Sequence, residues 1–258
     1  MTVNPVPANP LALQLYTVRD QLATDRAGIL KRVADYGYGA VEPFGITNDP
    51  QGLRADLDAA GLSVCSVHAI PVGEEAEAVI GAARTLGADT VIVPYLPPPR
   101  FADADGVRGV AAELNEASAR LAGEGMRLGY HNHDFELSSL IGGTPALEVL
   151  AASLDDAVLL EVDTYWAAVG GQDVAALLGR LGDRVRYLHV KDGPIVNRED
   201  FMTAVGSGRM PVAAILAASP SATWHVVELD RCASDMMTAV GDSLAWLTAQ
   251  GLAGKGLA

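Results

Sequence analysis

Four of the five histidines close short apolar runs, where an imidazole can be held against a strand end. His68 ends Ser-Val-Cys-Ser-Val-His; His131 and His133 sit in Tyr-His-Asn-His-Asp-Phe-Glu, which finishes on Glu136; His189 sits in Leu-His-Val-Lys-Asp, with Lys191 two residues on. Asp163 ends Leu-Glu-Val-Asp with Trp166 three residues beyond it, Glu228 ends Val-Val-Glu, and Gln14 and Glu42 end the two earliest runs. Imidazoles and carboxylates brought to one mouth suit a divalent cation, because Mn²⁺, Mg²⁺, Co²⁺ and Zn²⁺ accept mixed nitrogen and oxygen donors. Asp163, His189 and Glu228 form the best triad, one from each of three successive runs. A single such residue more often anchors a loop or steadies a neighbour, as His68 and His133 could do here. Three at equivalent ends are harder to explain that way.

An ion that grips a carbonyl and a neighbouring hydroxyl acidifies the C–H between them and stabilises the enediolate that follows. A carboxylate or imidazole within hydrogen-bond reach then moves the proton. Return of the proton to the neighbouring carbon is aldose–ketose isomerisation, and to the opposite face of the same carbon, epimerisation. Loss of a β-oxygen from the same intermediate is dehydration or elimination from a keto-sugar. The residues leave these three outcomes open. Substrate contacts are sought among Gln14, Glu42, His68, His133, Trp166, Lys191 and Arg209, with Arg19 beside them. Lys191 shares a strand face with His189 by period two. Arg209 follows Gly206-Ser207-Gly208 in a loop where barrels often hold phosphate, although a lone Gly-Ser-Gly is more often a flexible turn.

The elements that would position these residues alternate. Apolar runs rich in Val, Ile, Leu and Tyr at 11–16, 39–42, 62–68, 90–94, 126–132, 157–163, 185–190 and 223–229 read as buried strands. Segments 25–36, 51–60, 74–86, 107–122, 145–152, 173–181, 212–218 and 234–250 read as helices, several followed by glycine, as at Gly37, Gly61, Gly87, Gly125 and Gly251. Strand–helix alternation eight times over predicts an α/β protein with a parallel sheet, and count and length favour a closed (β/α)₈ TIM barrel in one domain over 11–250. Segments 1–10 and 251–258 read as loose tails. In such a barrel the active site lies at the C-terminal strand ends, where the polar residues above fall.

Composition narrows the partners. Lys plus Arg number 18 and Asp plus Glu 32, a net charge of −14, which argues against a nucleic-acid partner. The two cysteines, Cys65 and Cys232, support neither a disulfide framework nor a zinc finger. The first ten residues lack a basic stretch followed by an apolar one, and the chain has no long uncharged apolar run, so neither a secretory leader nor a membrane span is expected and a cytoplasmic location is.

The series Leu-Gln-Leu-Tyr-Thr-Val-Arg-Asp (13–20), Ser-Val-His-Ala (66–69), Tyr-His-Asn-His-Asp-Phe-Glu (130–136), Leu-Glu-Val-Asp-Thr-Tyr-Trp (160–166), Leu-His-Val-Lys-Asp (188–192) and Val-Val-Glu-Leu-Asp (226–230) resembles the sugar phosphate isomerase/epimerase group of the xylose isomerase-like TIM barrels, in order and over nearly the whole chain. The resemblance implies a divalent ion, Mn²⁺ first and Mg²⁺, Co²⁺ or Zn²⁺ otherwise, held by Glu, Asp, His and Glu at the ends of strands five to eight. Asp163, His189 and Glu228 match the last three. The first place departs: His131 stands where many members carry Glu, and either takes that place or leaves it to water. The ketose 3-epimerases of the group use two metal-bound glutamates as acid and base, so here Glu228 would serve with His131 or Glu136. Trp166 is a second departure, at a position where related epimerases often show His. The resemblance implies a small sugar or keto-sugar substrate and homodimers or homotetramers. It also admits a dehydratase or lyase and a sugar-binding barrel without turnover, while the endonuclease IV branch needs more histidines than this chain supplies.

Overall fold

A computed structural model describes residues 9–254. Strands β1 (Leu11–Gln14), β2 (Ala40–Glu42), β3 (Ser63–Val64), β4 (Val67–His68), β5 (Thr90–Val93) and β6 (Arg127–His131) are followed by a small hairpin, β7 (Leu140–Ile141) and β8 (Thr144–Pro145), and then by β9 (Leu159–Asp163), β10 (Val185–Val190) and β11 (Trp224–Val227). Every strand but the hairpin pair joins one parallel sheet, in the order β3-β2-β1-β11-β10-β9-β6-β5-β4. The two edges of that order are halves of one strand. β3 pairs with β2 and β4 with β5, and the amides of Cys65 and His68 bond Val41 and Pro43 on one side while Ala69 bonds Ile92 on the other. The sheet therefore closes on itself as an eight-membered barrel, which leaves no open edge.

The crossover helices run Arg26–Tyr36, Pro50–Ala60, Ala76–Leu86, Ala104–Gly123, Ala146–Ser153, Val174–Leu181, Val212–Ala217 and Met236–Ala249, each within a few residues of its expected place. Five begin on an aspartate, Asp25, Asp49, Asp103, Asp173 or Asp235, whose carboxylate accepts an otherwise orphaned amide of the first turn. Such a cap contributes about 1 kcal/mol. Gly37, Gly61 and Gly87 end three helices in the left-handed region. Three further short helices, Arg19–Leu22, Phe135–Ser138 and Thr164–Val169, and the hairpin depart from the expected elements; all lie in connections after strand ends. No helix of the described residues is long and apolar enough to cross a membrane.

Inside the barrel, Ala12, Ala40, Cys65, Ile92, Tyr187 and Val226 pack as a separate apolar plug. Gly129 completes it, since a Cβ there would collide with the Ile92 side chain. Strand period two then aims the next inward positions at the mouth: Gln14 follows Ala12, Glu42 follows Ala40, His131 follows Gly129, Glu161 follows Leu159, His189 follows Tyr187 and Glu228 follows Val226. Register sets Gln14 opposite Glu42, His131 opposite Glu161, and His189 opposite Asp163, one inward step above Glu161. The expected tails fall mostly outside the described residues. Within those residues the ends are tied, because Gly254 donates to Asn9 and Pro10 accepts from His225.

Candidate active site

Two carboxylates sit beneath a layer of imidazoles. Glu42 Oε2 takes Gln14 Nε2 at 2.6 Å and faces Nε2 of His189 at 2.8 Å and of His68 at 3.0 Å. Glu161 Oε2 faces His68 Nε2 at 2.7 Å, His131 Nδ1 at 3.0 Å and His189 Nε2 at 3.1 Å. Above them, His189 Nδ1 meets Glu228 Oε2 at 2.7 Å. Lys191 Nζ lies 2.8 Å from Asp163 Oδ2, 2.7 Å from Glu228 Oε2 and 2.6 Å from Asp230 Oδ2. Asp163 is held from three sides. Its amide donates to Asn132 Oδ1, its Oδ1 accepts from the Trp166 amide and so caps Thr164–Val169, and its Oδ2 turns inward, 3.7 Å from His131 Nε2.

Glu42, Glu161, Asp163 and Glu228 are all buried, and buried carboxylates require nearby positive charge. Lys191 is the one buried ammonium among them. The histidines supply the rest: burial opposes a proton on His68, but Glu42 and Glu161 raise it to about 9, and Glu161 and Glu228 likewise raise His189 well above the usual imidazole range against burial. Burial, with His189 beside it, pushes His131 far down, so it stays neutral with a free lone pair. Burial and Glu42 would raise the Glu161 carboxyl, yet His189 and His68 hold it at about 2.

This donor set fits a divalent ion. Donor atoms of His131, Asp163, His189 and Glu228 lie within 4.8 Å of one another, as do those of His68, His131, Glu161 and His189. Glu161 Oε1 is buried without a hydrogen-bond partner, an acceptor that wants a cation. A dication would take over the charge now carried by imidazole protons and release them. Glu42 and Glu161 behind His189 Nε2 would keep its proton there and leave Nδ1 for the ion.

A cavity of about 590 Å³ opens over this layer, with His68, His131, His133, Trp166, Glu228 and Asp230 in its wall. Both His133 Nδ1 and Trp166 Nε1 are buried without hydrogen-bond partners. Several expected contacts lie elsewhere. Gln14 and Glu42 are fully buried below the wall, where they hold the imidazole layer instead of a substrate. Lys191 spends its ammonium on the three carboxylates already named. Glu136, expected as an acid or base, is fully buried off the cavity and uses both oxygens internally, accepting from Tyr130 Oη at 2.6 Å and the His133 amide at 2.9 Å; burial lifts its carboxyl to about 7. Arg209 is exposed and apart from the cavity, and the loop before it is no phosphate cradle, because the amides of Gly206, Gly208 and Met210 all point at the Asp192 carboxylate. Of the expected cations Arg19 does line the wall, where Arg198 and Arg231 join it. Glu161 is the largest omission; its signal is its period-two spacing from Asp163.

The fold recurs in solved structures. Two crystal structures of sugar phosphate isomerase/epimerases from Parabacteroides distasonis ATCC 8503 superpose with TM-scores of 0.81 and 0.80 at 24% and 22% identity, covering 98% and 93% of this chain and 98% of each of theirs. The IOLI protein, crystallised with a zinc atom bound, gives 0.66 at 12% identity over 94% of this chain and 98% of its own. At these identities the likeness is one of fold. Comparison with curated protein sequences finds no match. Residues 30–250, however, match the profile of the xylose isomerase-like TIM barrels, and the chain belongs to that family.

Proposed function

We propose that this chain is a divalent-metal-dependent isomerase or epimerase that moves a proton beside the carbonyl of a small sugar or keto-sugar. The observation that carries the reading is the convergence of His131, Asp163, His189 and Glu228, from neighbouring barrel strands, on the floor of a cavity that His131 and Glu228 also line. Mn²⁺ is the ion proposed, with Mg²⁺, Co²⁺ and Zn²⁺ accepting the same donors. When bound, it would polarise the carbonyl and adjacent hydroxyl and so acidify the carbon between them. Glu228 works from the β11 side: although burial opposes its charge, Lys191 and His189 keep it ionised, so it can accept the proton. His133, on the β6 side, lines the cavity with a neutral imidazole whose Nδ1 has no partner, and it takes the second acid–base role in place of His131 or Glu136. Trp166 Nε1–H donates to a substrate oxygen.

The test is metal content of protein purified without chelator, followed by exchange of keto- and aldo-sugars in D₂O. One divalent ion per chain and deuterium at a carbon beside a carbonyl are expected. Asp163→Asn, His189→Ala and Glu228→Gln should each lower metal occupancy and cut the exchange rate by about 10³-fold or more. Full metal content in all three variants would remove the site assignment, and metal without exchange for any sugar would leave a binding protein.

A further inference from the structure

The exposed large apolar side chains of the described residues are Tyr16, Ile70, Val72, Tyr95, Leu140, Val196 and Phe201, and every one lies in a loop that follows the C-terminal end of a barrel strand. None is on a crossover helix or at the opposite end of the barrel. An apolar rim confined to the mouth of a reaction cavity marks a binding surface. Two of its residues, Tyr16 and Tyr95, belong to the cavity wall. Tyr16 stands edge-on to Phe44 with ring centroids 5.2 Å apart, and the Arg19 guanidinium lies 4.3 Å from the Tyr16 centroid, backing the ring against the wall. Tyr95 is set edge-on to His133 at 5.3 Å and to Phe135 at 5.9 Å, which joins this surface to the histidine proposed to move a proton. The wall also carries charge, with Arg198 5.9 Å from the Phe135 ring centroid, Asp230 accepting from Arg19 through its carbonyl, and Arg231. The cavity, at about 590 Å³, falls in the range of roughly 300–1,000 Å³ typical of pockets that enclose drug-sized ligands. A free sugar on the metal donors at the floor would leave Tyr16, at 40% exposure, and Tyr95, at 41%, in water.

We infer that the substrate is a conjugate, a keto-sugar whose anomeric carbon carries an aglycone with an apolar ring, the ring lying against Tyr16, Phe44 and Tyr95 while the sugar, its ketone on another ring carbon, reaches the floor. The inference rests on the proposed sugar chemistry and extends it to the far end of the substrate. Contacts made there, away from the reacting carbon, supply binding energy that can orient the sugar at the metal donors.

Equilibrium titration of the metal-replete protein with methyl and 4-nitrophenyl glycosides oxidised to a ketone at one ring carbon, in the gluco, galacto and manno series, tests this. In at least one series the aryl glycoside should bind about tenfold tighter than the methyl glycoside, and that ratio should fall to near one in a Tyr16→Ala/Tyr95→Ala variant, whose two half-exposed positions leave the core intact. Equal affinities overturn the inference while leaving the sugar reading in place. So does a ratio that survives the double substitution, or 4-nitrophenol alone binding as tightly as its glycoside. Failure of every methyl and aryl glycoside to bind overturns the inference, while the sugar reading stands or falls on the exchange of free keto- and aldo-sugars. If the double variant instead dissociates an oligomer in sedimentation and keeps the ratio, the rim is an interface between copies and the inference falls.

Discussion

One carboxylate shows how tightly this centre is built. Asp163 caps a helix with Oδ1, offers Oδ2 to Lys191 and His131, and has its amide held by Asn132, so its orientation is set before any ligand arrives. The same logic applies to Glu42, whose bond to His189 Nε2 fixes that ring. Glu42→Gln should therefore weaken metal affinity by about 10–100-fold with the cavity wall intact, measured by competition with a chelator; unaltered affinity would show that His189 needs no such support. Glu136→Gln should change the exchange rate by no more than about threefold, and a loss approaching the 10²–10⁴-fold typical of an acid–base residue would return Glu136 to the mechanism. Asp163, His189 and Glu228 were legible because each ends an apolar run. The engagement of Lys191 was not, because its partners lie on β9 and beyond β11, distant in sequence and adjacent only across the closed sheet.

The connection after β10 shows a loop whose composition misleads. Gly206-Ser207-Gly208 has the small residues of an anion-binding turn, yet its amides serve Asp192, together with the Gly193 amide. The glycines are required by close approach: a Cβ on Gly208 would collide with the Asp192 carboxylate and the Gly193 amide, and one on Gly206 with the Trp246 ring. Gly208→Ala should lower unfolding free energy by about 2 kcal/mol through overpacking. Asp192→Ala should cost about 3 kcal/mol by leaving several buried amides unpaired. Urea unfolding measures both, and a neutral result at Asp192 would mean that the loop is held by something else. The short helix Thr164–Val169 was invisible to periodicity because six residues are too few to show a period, although Asp163 is an ordinary cap residue.

For the barrel as a whole, His225 makes stability depend on pH far from the active site. It sits on β11 near the start of the strand, its Nε2 3.3 Å from Asn9 Nδ2 and its Nδ1 buried without a partner, and burial pushes its imidazole down to about 4. The folded form thus refuses a proton that the unfolded chain accepts near pH 6.5. Stability is full above that value and is lost as pH falls from 6.5 toward 4, by about 2 kcal/mol at pH 5. His225→Gln should remove that increment, so the variant's urea midpoint should fall less between pH 7.5 and pH 5.0 than the parent's. Equal falls in both would assign the pH dependence to other groups.

Periodicity and punctuation in the chain alone establish the alternation of strands and helices, and with them the barrel, since both are short-range properties of apolar spacing and caps. They also place the chemistry at the strand ends, because period two aims alternate residues inward. Only closure of the barrel decides which of those residues share a layer. Register across the sheet puts Glu42 and Glu161 under the histidines, turns Lys191 onto three carboxylates, removes Glu136 and Arg209 from the cavity, and leaves His133 and Trp166 in its wall, each with an unpartnered nitrogen. Those outcomes depend on distances between side chains from different strands, which no local pattern encodes.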